Sequence, residues 1–169
     1  MTRRILALAC VFSLWSAVAG AQQPPGTGAV AAELTGGHAG FVDDATIHHG
    51  VIGGALRWYV SPRISVGPEL AYMRGPDDDR DLMLTGNVTF DLRAPAPGRV
   101  VTPFLVAGAG LFRHSDRIGP VPFSSSEGAF TAGGGVRARV SDRWFVGGEA
   151  RFGWELHTRL SLLIGFKGS

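Results

Sequence analysis

From residue 30 onwards, large apolar residues alternate with small or polar residues in stretches of about ten positions. Successive side chains of a β-strand point to opposite faces, so this period of two predicts strands rather than helices. In one stretch Leu82, Leu84 and Val88 share a face, and Thr85 and Asn87 share the other. Eight such stretches predict eight strands: 30–41, 48–60, 64–74, 81–92, 100–112, 128–140, 144–156 and 159–167.

The connections between these predicted strands differ in length at the two ends of the sheet. Residues 61–63 (SPR) and 141–143 (SDR) are three-residue turns, with Pro and Asp where turns favour them. At the opposite ends the connections are longer, around 41–47, 74–80 and 113–127. Short turns on one side and long loops on the other are typical of membrane β-barrels.

The chain contains an internal repeat. Residues 53–69 align without gaps on residues 133–149, and nine of the 17 positions are identical. The offset of 80 residues corresponds to four strands, so the two hairpins are predicted to face each other across an eight-stranded barrel. Pro68 lies within the third strand, where it cannot donate a hydrogen bond, and a β-bulge is predicted there. Its repeat partner, Gly148, would suit a bulge too.

Charged residues fall on the face opposite the large apolar residues, and the repeat retains Arg57 with Glu69 and Arg137 with Glu149. Each pair is predicted to be a diagonal contact between adjacent strands. A soluble barrel buries its apolar residues and exposes its charges, whereas a membrane barrel turns its apolar side chains to lipid. The membrane arrangement is favoured, and it predicts a desolvated charge network in the lumen: Arg57, Glu69, Arg137, Arg139, Glu149, Arg151 and Glu155.

Aromatic residues cluster near both ends of the predicted strands, with Leu, Val, Ala and Gly between them. Membrane–water interfaces select such positions for aromatic side chains. The predicted girdles are Trp58, Tyr59, Trp144 and Phe145 beside the short turns, and Tyr72, Phe112, Phe152 and Trp154 at the opposite ends. A ten-residue strand tilted by about 45° spans roughly 23 Å, close to the ~25 Å apolar band of a membrane barrel.

The first residues have the pattern of an export signal. Arg3 and Arg4 precede an apolar run over 5–18, and small residues over 19–21 offer a cleavage site. The run is too short for a spanning helix, which needs about 20 apolar residues. The predicted organisation is a signal peptide over 1–21, a flexible Pro- and Gly-rich leader over 22–29, and an outer-membrane β-barrel domain over 30–169.

Cleavage after residue 21 would change the composition that matters for function. The remaining 148 residues would contain no cysteine, 24 glycines, and 14 basic against 14 acidic residues. Each interior glycine costs a helix about 1 kcal/mol, so this load favours strands. The zero net charge offers no basic patch for nucleic acid.

Candidate chemistry is sparse. His157, Ser161 and Glu155 are close in sequence, but a lipid A-modifying barrel enzyme needs such a set to face lipid, and Ser161 falls on the lumenal face. No enzyme, catalytic residue, metal or cofactor is predicted. His48 and His49 are neighbours on a strand, so they point to opposite faces and do not share an ion.

Acidic residues mark one of the predicted outer loops. Asp77, Asp78 and Asp79 follow one another there, and solvated loop tips are the simplest interpretation. A sharper hypothesis is that they hold divalent cations shared with lipopolysaccharide phosphates, because hard cations prefer carboxylate oxygens.

Residues 101–114 (VTPFLVAGAGLFRH), 131–152 (TAGGGVRARVSDRWFVGGEARF) and 160–166 (LSLLIGF) resemble the outer membrane protein β-barrel domain family of the porin-like OmpA and OmpX type. The resemblance implies an all-β, eight-stranded antiparallel up-and-down barrel in the cell outer membrane, non-enzymatic, with a structural or surface-interaction role. Expected partners are outer-membrane lipid, lipopolysaccharide and the barrel-assembly machinery.

An eight-stranded barrel is just wide enough for side chains to fill it, so no general diffusion pore is expected. The alternative hypothesis is a soluble periplasmic lipocalin-like carrier of an apolar ligand. Fractionation distinguishes the two, because a carrier is released from membranes by carbonate.

Overall fold

A computed structural model describes residues 27–42, 46–77, 79–94, 96, 98–118, 121–154 and 156–168. These residues form a closed barrel in which each strand pairs antiparallel with its sequence neighbours and β1 pairs with β8. The strands are β1 Val30–Val42, β2 Thr46–Tyr59, β3 Ile64–Arg74, β4 Arg80–Asp91, β5 Val101–Ile118, β6 Val121–Arg139, β7 Trp144–Gly153 and β8 His157–Lys167. No helix among the described residues is long and apolar enough to cross a membrane.

The predicted all-β barrel of eight strands is confirmed, and the largest difference lies in β5 and β6. Residues 113–127 were predicted to be a long loop, but 113–118 and 121–127 continue the two strands, and Arg113 to Ile118 pair with Val121 to Ser126. This segment is polar, so it lacks the apolar alternation that signals a half-buried strand. Backbone pairing extends the hairpin beyond the neighbouring strands.

The pairing registers shift steadily around the barrel. A path from His114 on β5, taken from partner to partner through the other seven strands, returns to β5 at Phe104, ten residues away. In a barrel of eight strands such a shift accompanies a tilt of about 35–45° between strands and barrel axis. The tilt brings residues that are distant in sequence to the same height inside the barrel.

The two ends of the barrel differ, and we call them the turn end and the loop end. Among the described residues, the turn end holds 61–63, 92–94, 96, 98–100 and 141–143, and the loop end holds 75–77, 79, 154 and 156. The two repeated turns close in the same way. Val60 and Ser61 donate N–H groups to the Ile64 carbonyl, as do Val140 and Ser141 to that of Trp144.

The predicted bulge at Pro68 is wrong. The β2–β3 pairing stops after Ala55–Glu69 and resumes at Trp58–Val66 in the same register, so no residue is inserted. The sheet instead omits the pairs of Gly67 and Pro68 with β2, and proline has no N–H to donate to the ladder. The register of β6 and β7 is also continuous at Gly148, its repeat partner.

Residues 1–26 lie outside the described part of the chain, and with them the predicted signal peptide and most of the predicted leader. The end of the leader is described. Gly28 donates its N–H to the Tyr59 carbonyl at 2.8 Å, and Tyr59 donates in turn to the Ala29 carbonyl at 2.9 Å. These bonds join the last leader residues to β2.

Candidate functional site: the charged barrel interior

Strand alternation sends two chemically different sets of side chains to the two faces of the barrel wall. On β4 every second residue is buried inside, while the residues between them, Leu82, Leu84, Val88 and Phe90, are exposed on the outer surface. The inward set consists of Asp81, Met83, Thr85, Asn87, Thr89 and Asp91. The interior is therefore polar by strand geometry, and the large apolar residues face outward.

The first cluster of interior charges is centred on Glu33 of β1, and we call it the Glu33 cluster. Arg57 donates from Nε to the carboxylate of Glu33, and from a terminal nitrogen to the Thr89 hydroxyl. Arg137 places its Nε 3.1 Å from Glu33 Oε1 and its Nη1 3.2 Å from Asp91 Oδ1. Two carboxylates thus meet two guanidinium groups, and the cluster is electrically balanced.

The second cluster joins β3, β7 and β8 across the lumen, and we call it the Glu69 cluster. Arg151 Nη2 lies 2.7 Å from Glu69 Oε2 and 2.9 Å from Glu149 Oε2. Arg159 also bridges both carboxylates, with its Nη2 3.1 Å from Glu149 Oε1. Asn87 donates an amide hydrogen to Glu69 at 3.1 Å. Arg159 and Glu69 are each only 2 % exposed, so water screens these charges little.

The predicted charged residues of the repeat are all buried inside the barrel, but their predicted pairing is wrong. Arg57 bonds to Glu33 rather than to Glu69, and Arg137 bonds to Glu33 and Asp91 rather than to Glu149. In a closed barrel side chains reach across the lumen as well as to the adjacent strand. The two repeated arginines therefore share Glu33 as their acceptor. The two repeated glutamates share Arg151 and Arg159 as their donors.

Sequence reasoning missed three members of these clusters: Glu33, Asp91 and Arg159. All three lie on the inward face of their strands, so alternation alone could have identified them. Two predicted members are not placed in either cluster. Arg139 is half-buried at the turn end and takes no part in the described ion pairs of the clusters, and Glu155 lies outside the described residues.

Two apolar clusters close the interior around the charges. Towards the loop end, Phe41, Val51, Met73, Met83 and Phe112 pack together with small residues of β1, β3 and β6. Elsewhere inside the barrel, Phe104, Val106 and Leu163 pack with Phe145. The Arg137 guanidinium lies over the Phe104 ring at 3.9 Å, a cation–π contact that links this second apolar cluster to the Glu33 cluster.

Three of the eight predicted girdle residues do not face outward. Tyr59, Phe112 and Phe145 lie inside the barrel, because each occupies an inward position of its strand. Tyr59 and Phe145 directly follow Trp58 and Trp144, and neighbouring residues of a strand cannot share a face. Exposed aromatic residues beside the turn end include Trp58, Phe90 and Trp144, and those nearer the loop end include Tyr72, Phe130, Phe152 and Trp154.

The acidic loop and the neighbouring histidines divide between the two faces. Asp77 is exposed, Asp78 lies outside the described residues, and Asp79 turns inward to His49 at 2.8 Å. His48 faces outward, with its Nδ1 3.0 Å from Nε2 of His38. His48 and His49 therefore point in opposite directions, and Asp79 is not a solvated loop tip.

The interior does not suit the two alternative functions considered from the sequence. His157 and Ser161 are both buried in the lumen, whereas a lipid A-modifying enzyme needs its set to face lipid, and Glu155 lies outside the described residues. A lipocalin-like carrier needs an apolar cavity. The described interior of this barrel is instead occupied by ion pairs and packed side chains.

No protein-family model and no curated protein sequence matches the chain. Solved structures do resemble it. Neisserial surface protein A (NspA) matches with a TM-score of 0.68 and 13% identity, over 83% of this chain and 96% of that one. Ail, the attachment invasion locus protein of Yersinia pestis, matches with 0.62 and 13%, over 83% and 99%. The N-terminal β-barrel domain of Pseudomonas aeruginosa OprF gives 0.57 and 14%, over 82% and 97%. The expected resemblance to outer-membrane barrels is thus confirmed for the fold.

Proposed function

We propose that the chain spans an outer membrane with its eight strands and acts there as a non-enzymatic structural or surface-interaction protein. The observation that carries this proposal is the orientation of the wall. Leu34, Ile52, Leu162 and other large apolar residues are exposed outside, while arginine and glutamate side chains are buried inside. This orientation is unfavourable in water and favourable in lipid.

The outward aromatic residues support a membrane of ordinary thickness. On β7, Trp144 and Phe152 face outward at opposite ends of the strand, eight residues apart. At about 3.3 Å per residue and a tilt of about 40°, they are separated by roughly 20 Å along the barrel axis. That separation fits two aromatic girdles on either side of an apolar band about 25 Å tall.

The filled lumen supports a closed barrel rather than a general diffusion pore. The two charge clusters bridge opposite walls, and the apolar cluster of Phe41, Met73, Met83 and Phe112 lies between them and the loop end. A solute would have to break buried ion pairs to pass. We therefore propose that residues on the outside of the barrel perform its function, and that solutes are not transported through the lumen.

The extended β5–β6 hairpin is the proposed surface for interaction. It projects beyond β4, whose first residue, Arg80, pairs with Ser115, and it exposes Val121 and Phe123. Among the structures with this fold, Ail has been solved in complex with the heparin analogue sucrose octasulfate. We infer lipid, lipopolysaccharide and the barrel-assembly machinery as envelope partners, and an exported chain whose hairpin faces the outside.

Fractionation of cells that express the full chain tests this proposal. We expect the protein to stay with membranes after carbonate extraction, to need detergent for release, and to migrate differently on gels before and after heating. A soluble carrier would be washed off by carbonate. Recovery in the carbonate supernatant, with no shift on heating, would refute the membrane assignment.

A further inference from the structure

Four side chains from different elements meet inside the mouth of the barrel at the loop end. His49 of β2 and Asp81 of β4 occupy inward positions of their strands, and His114 of β5 is the register partner of Asp81. The fourth, Asp79, comes from the connection between β3 and β4. It is held there because Gly75 donates to the Asp79 carbonyl at 3.0 Å.

One ligand atom each of His49, Asp79 and Asp81 lies within 4.8 Å of the other two, and His114 lies beside the two carboxylates. His49 Nε2 lies 2.8 Å from Asp79 Oδ2 and 3.3 Å from Asp81 Oδ2. His114 Nδ1 lies 2.8 Å from Asp81 Oδ1 and 3.5 Å from Asp79 Oδ1. Ligand atoms bound to Zn²⁺ at 2.0–2.1 Å in a tetrahedron are separated by about 3.3 Å. The two distances from His49 Nε2 to the carboxylates are close to this separation.

Hydrogen bonding among the four groups does not balance their charge. Each imidazole nitrogen carries at most one proton, yet each lies close to two carboxylates. Within the described residues, the ion pairs of Asp79 and Asp81 are made with these two imidazoles, so neutral histidines would leave two negative charges together. Asp81 is 2 % exposed, and burying a carboxylate without a compensating charge is costly. One divalent cation would neutralise the pair.

We propose that His49, Asp79 and Asp81 bind a divalent first-row transition metal ion, of which Zn²⁺ is the best fit, and that His114 holds Asp81 in place beside them. One imidazole and two carboxylates are a donor set for such ions, with a fourth position left open, whereas Ca²⁺ takes six to eight oxygen ligands and Mg²⁺ an octahedron of oxygens. Asp79 and His114 are 14 % and 28 % exposed in their side chains, which leaves a path from solvent to the site. This site is separate from the Glu33 and Glu69 clusters and does not depend on the surface role proposed above.

Gly75 offers a way to block the site without removing a ligand. A Cβ atom built on Gly75 would lie 2.5 Å from His49 Nε2 and 2.9 Å from Asp79 Oδ2. Gly75→Ala should therefore displace the donor atoms of both ligands. Two matched controls lie next to the site. His48→Gln removes a histidine from the opposite face of the same strand, and Asp77→Asn removes an exposed carboxylate from the same loop.

The test is a metal titration of the purified, folded, chelator-stripped protein in detergent. Zn²⁺ binding is followed by calorimetry, and Co²⁺ binding by the visible absorption that tetrahedral Co²⁺ gives. We expect one ion per chain, with affinity lowered at least tenfold in His49→Gln, Asp81→Asn and Gly75→Ala and unchanged in His48→Gln and Asp77→Asn. Excess Ca²⁺ should not displace Zn²⁺.

Three outcomes would overturn the proposal. They are wild-type protein that binds no stoichiometric Zn²⁺, equal loss of binding in the His48→Gln control, and displacement of Zn²⁺ by excess Ca²⁺. A heat-dependent gel shift of each variant shows whether it is folded. If a ligand variant does not fold, the number of Zn²⁺ ions bound per wild-type chain still tests the proposal.

Discussion

On β7, Phe152 points out of the barrel and its neighbour Arg151 points into it, so a slip of one residue would exchange an apolar and a charged side chain. The two faces of the wall are built from the same strands but are stabilised in opposite ways. In the membrane-spanning barrel proposed above, the outer face would gain stability from lipid, which is non-directional, whereas the inner face contains individual ion pairs such as those of Glu149. The contrast indicates that inner positions tolerate less change than outer ones.

The largest expected effect is the loss of one buried carboxylate. Glu149→Ala leaves Arg151 and Arg159 to share Glu69 alone, with one guanidinium charge uncompensated in the lumen. We expect the free energy of unfolding to fall by about 3–5 kcal/mol. Urea unfolding of the folded barrel measures it.

The matched control for this variant is Asp142→Ala, which removes an exposed carboxylate from the turn end. It should change the unfolding free energy by about 0.5 kcal/mol or less. If both variants unfold at the midpoint of the wild-type protein, the interior ion pairs do not stabilise the barrel.

A second comparison separates lipid from water on the outer face. Leu162 in β8 and Leu156 in the β7–β8 connection are similarly exposed, at 76% and 70%. Leu162→Arg should cost about 2–4 kcal/mol because it places a charge at the level of the apolar band. Leu156→Arg lies at the loop end and should cost about 1 kcal/mol or less.

The measurement is the unfolding free energy of both variants in lipid vesicles. Equal costs at the two positions would show that Leu162 does not contact hydrocarbon. A larger cost at Leu156 than at Leu162 would show that the apolar band lies at the level of Leu156, nearer the loop end than proposed.

A double variant with a smaller expected effect tests whether the buried charges of the inner face form one network. Arg151→Met added to Glu149→Ala removes the uncompensated charge and leaves Arg159 with Glu69. The double variant should be more stable than Glu149→Ala alone by about 1–3 kcal/mol, because coupled charges are not additive. A double-mutant cycle in urea measures the difference, and simple additivity would contradict the shared network.

The fold was predictable because strand alternation and turn residues act locally. The repeated turns at 61–63 and 141–143 identify two hairpins, and Ser61 and Ser141 accept hydrogen bonds from Ile64 and Trp144 in both. The same rule, applied strictly, would also have placed Tyr59 and Phe145 inside, since each follows an outward tryptophan. Both residues were assigned to the outer face because each was grouped with the tryptophan that precedes it.

The partners inside the lumen were not predictable from the sequence, because they depend on strand tilt. Arg151 meets Glu69 across 82 residues only because β7 and β3 face each other in a closed barrel. The cluster of His49 with Asp79 and Asp81 likewise needs two strands and a connection to converge. No short sequence pattern predicts the register shift of the strands, or the hydrogen bond from Gly75 that holds Asp79 beside His49.

The central claim is that the apolar face of each strand lies in lipid, and two adjacent leucines of β8 test it most directly. Leu162 points outward and is 76% exposed, while Leu163 points inward and is buried. Leu162→Cys and Leu163→Cys, each in a Cys10→Ala background, are spin-labelled in vesicles and exposed to oxygen, which partitions into lipid, or to a water-soluble nickel chelate. The label at position 162 should respond strongly to oxygen and weakly to nickel, and position 163 should be reached by neither reagent. A nickel response at position 162 together with an oxygen response at position 163 would contradict the claim.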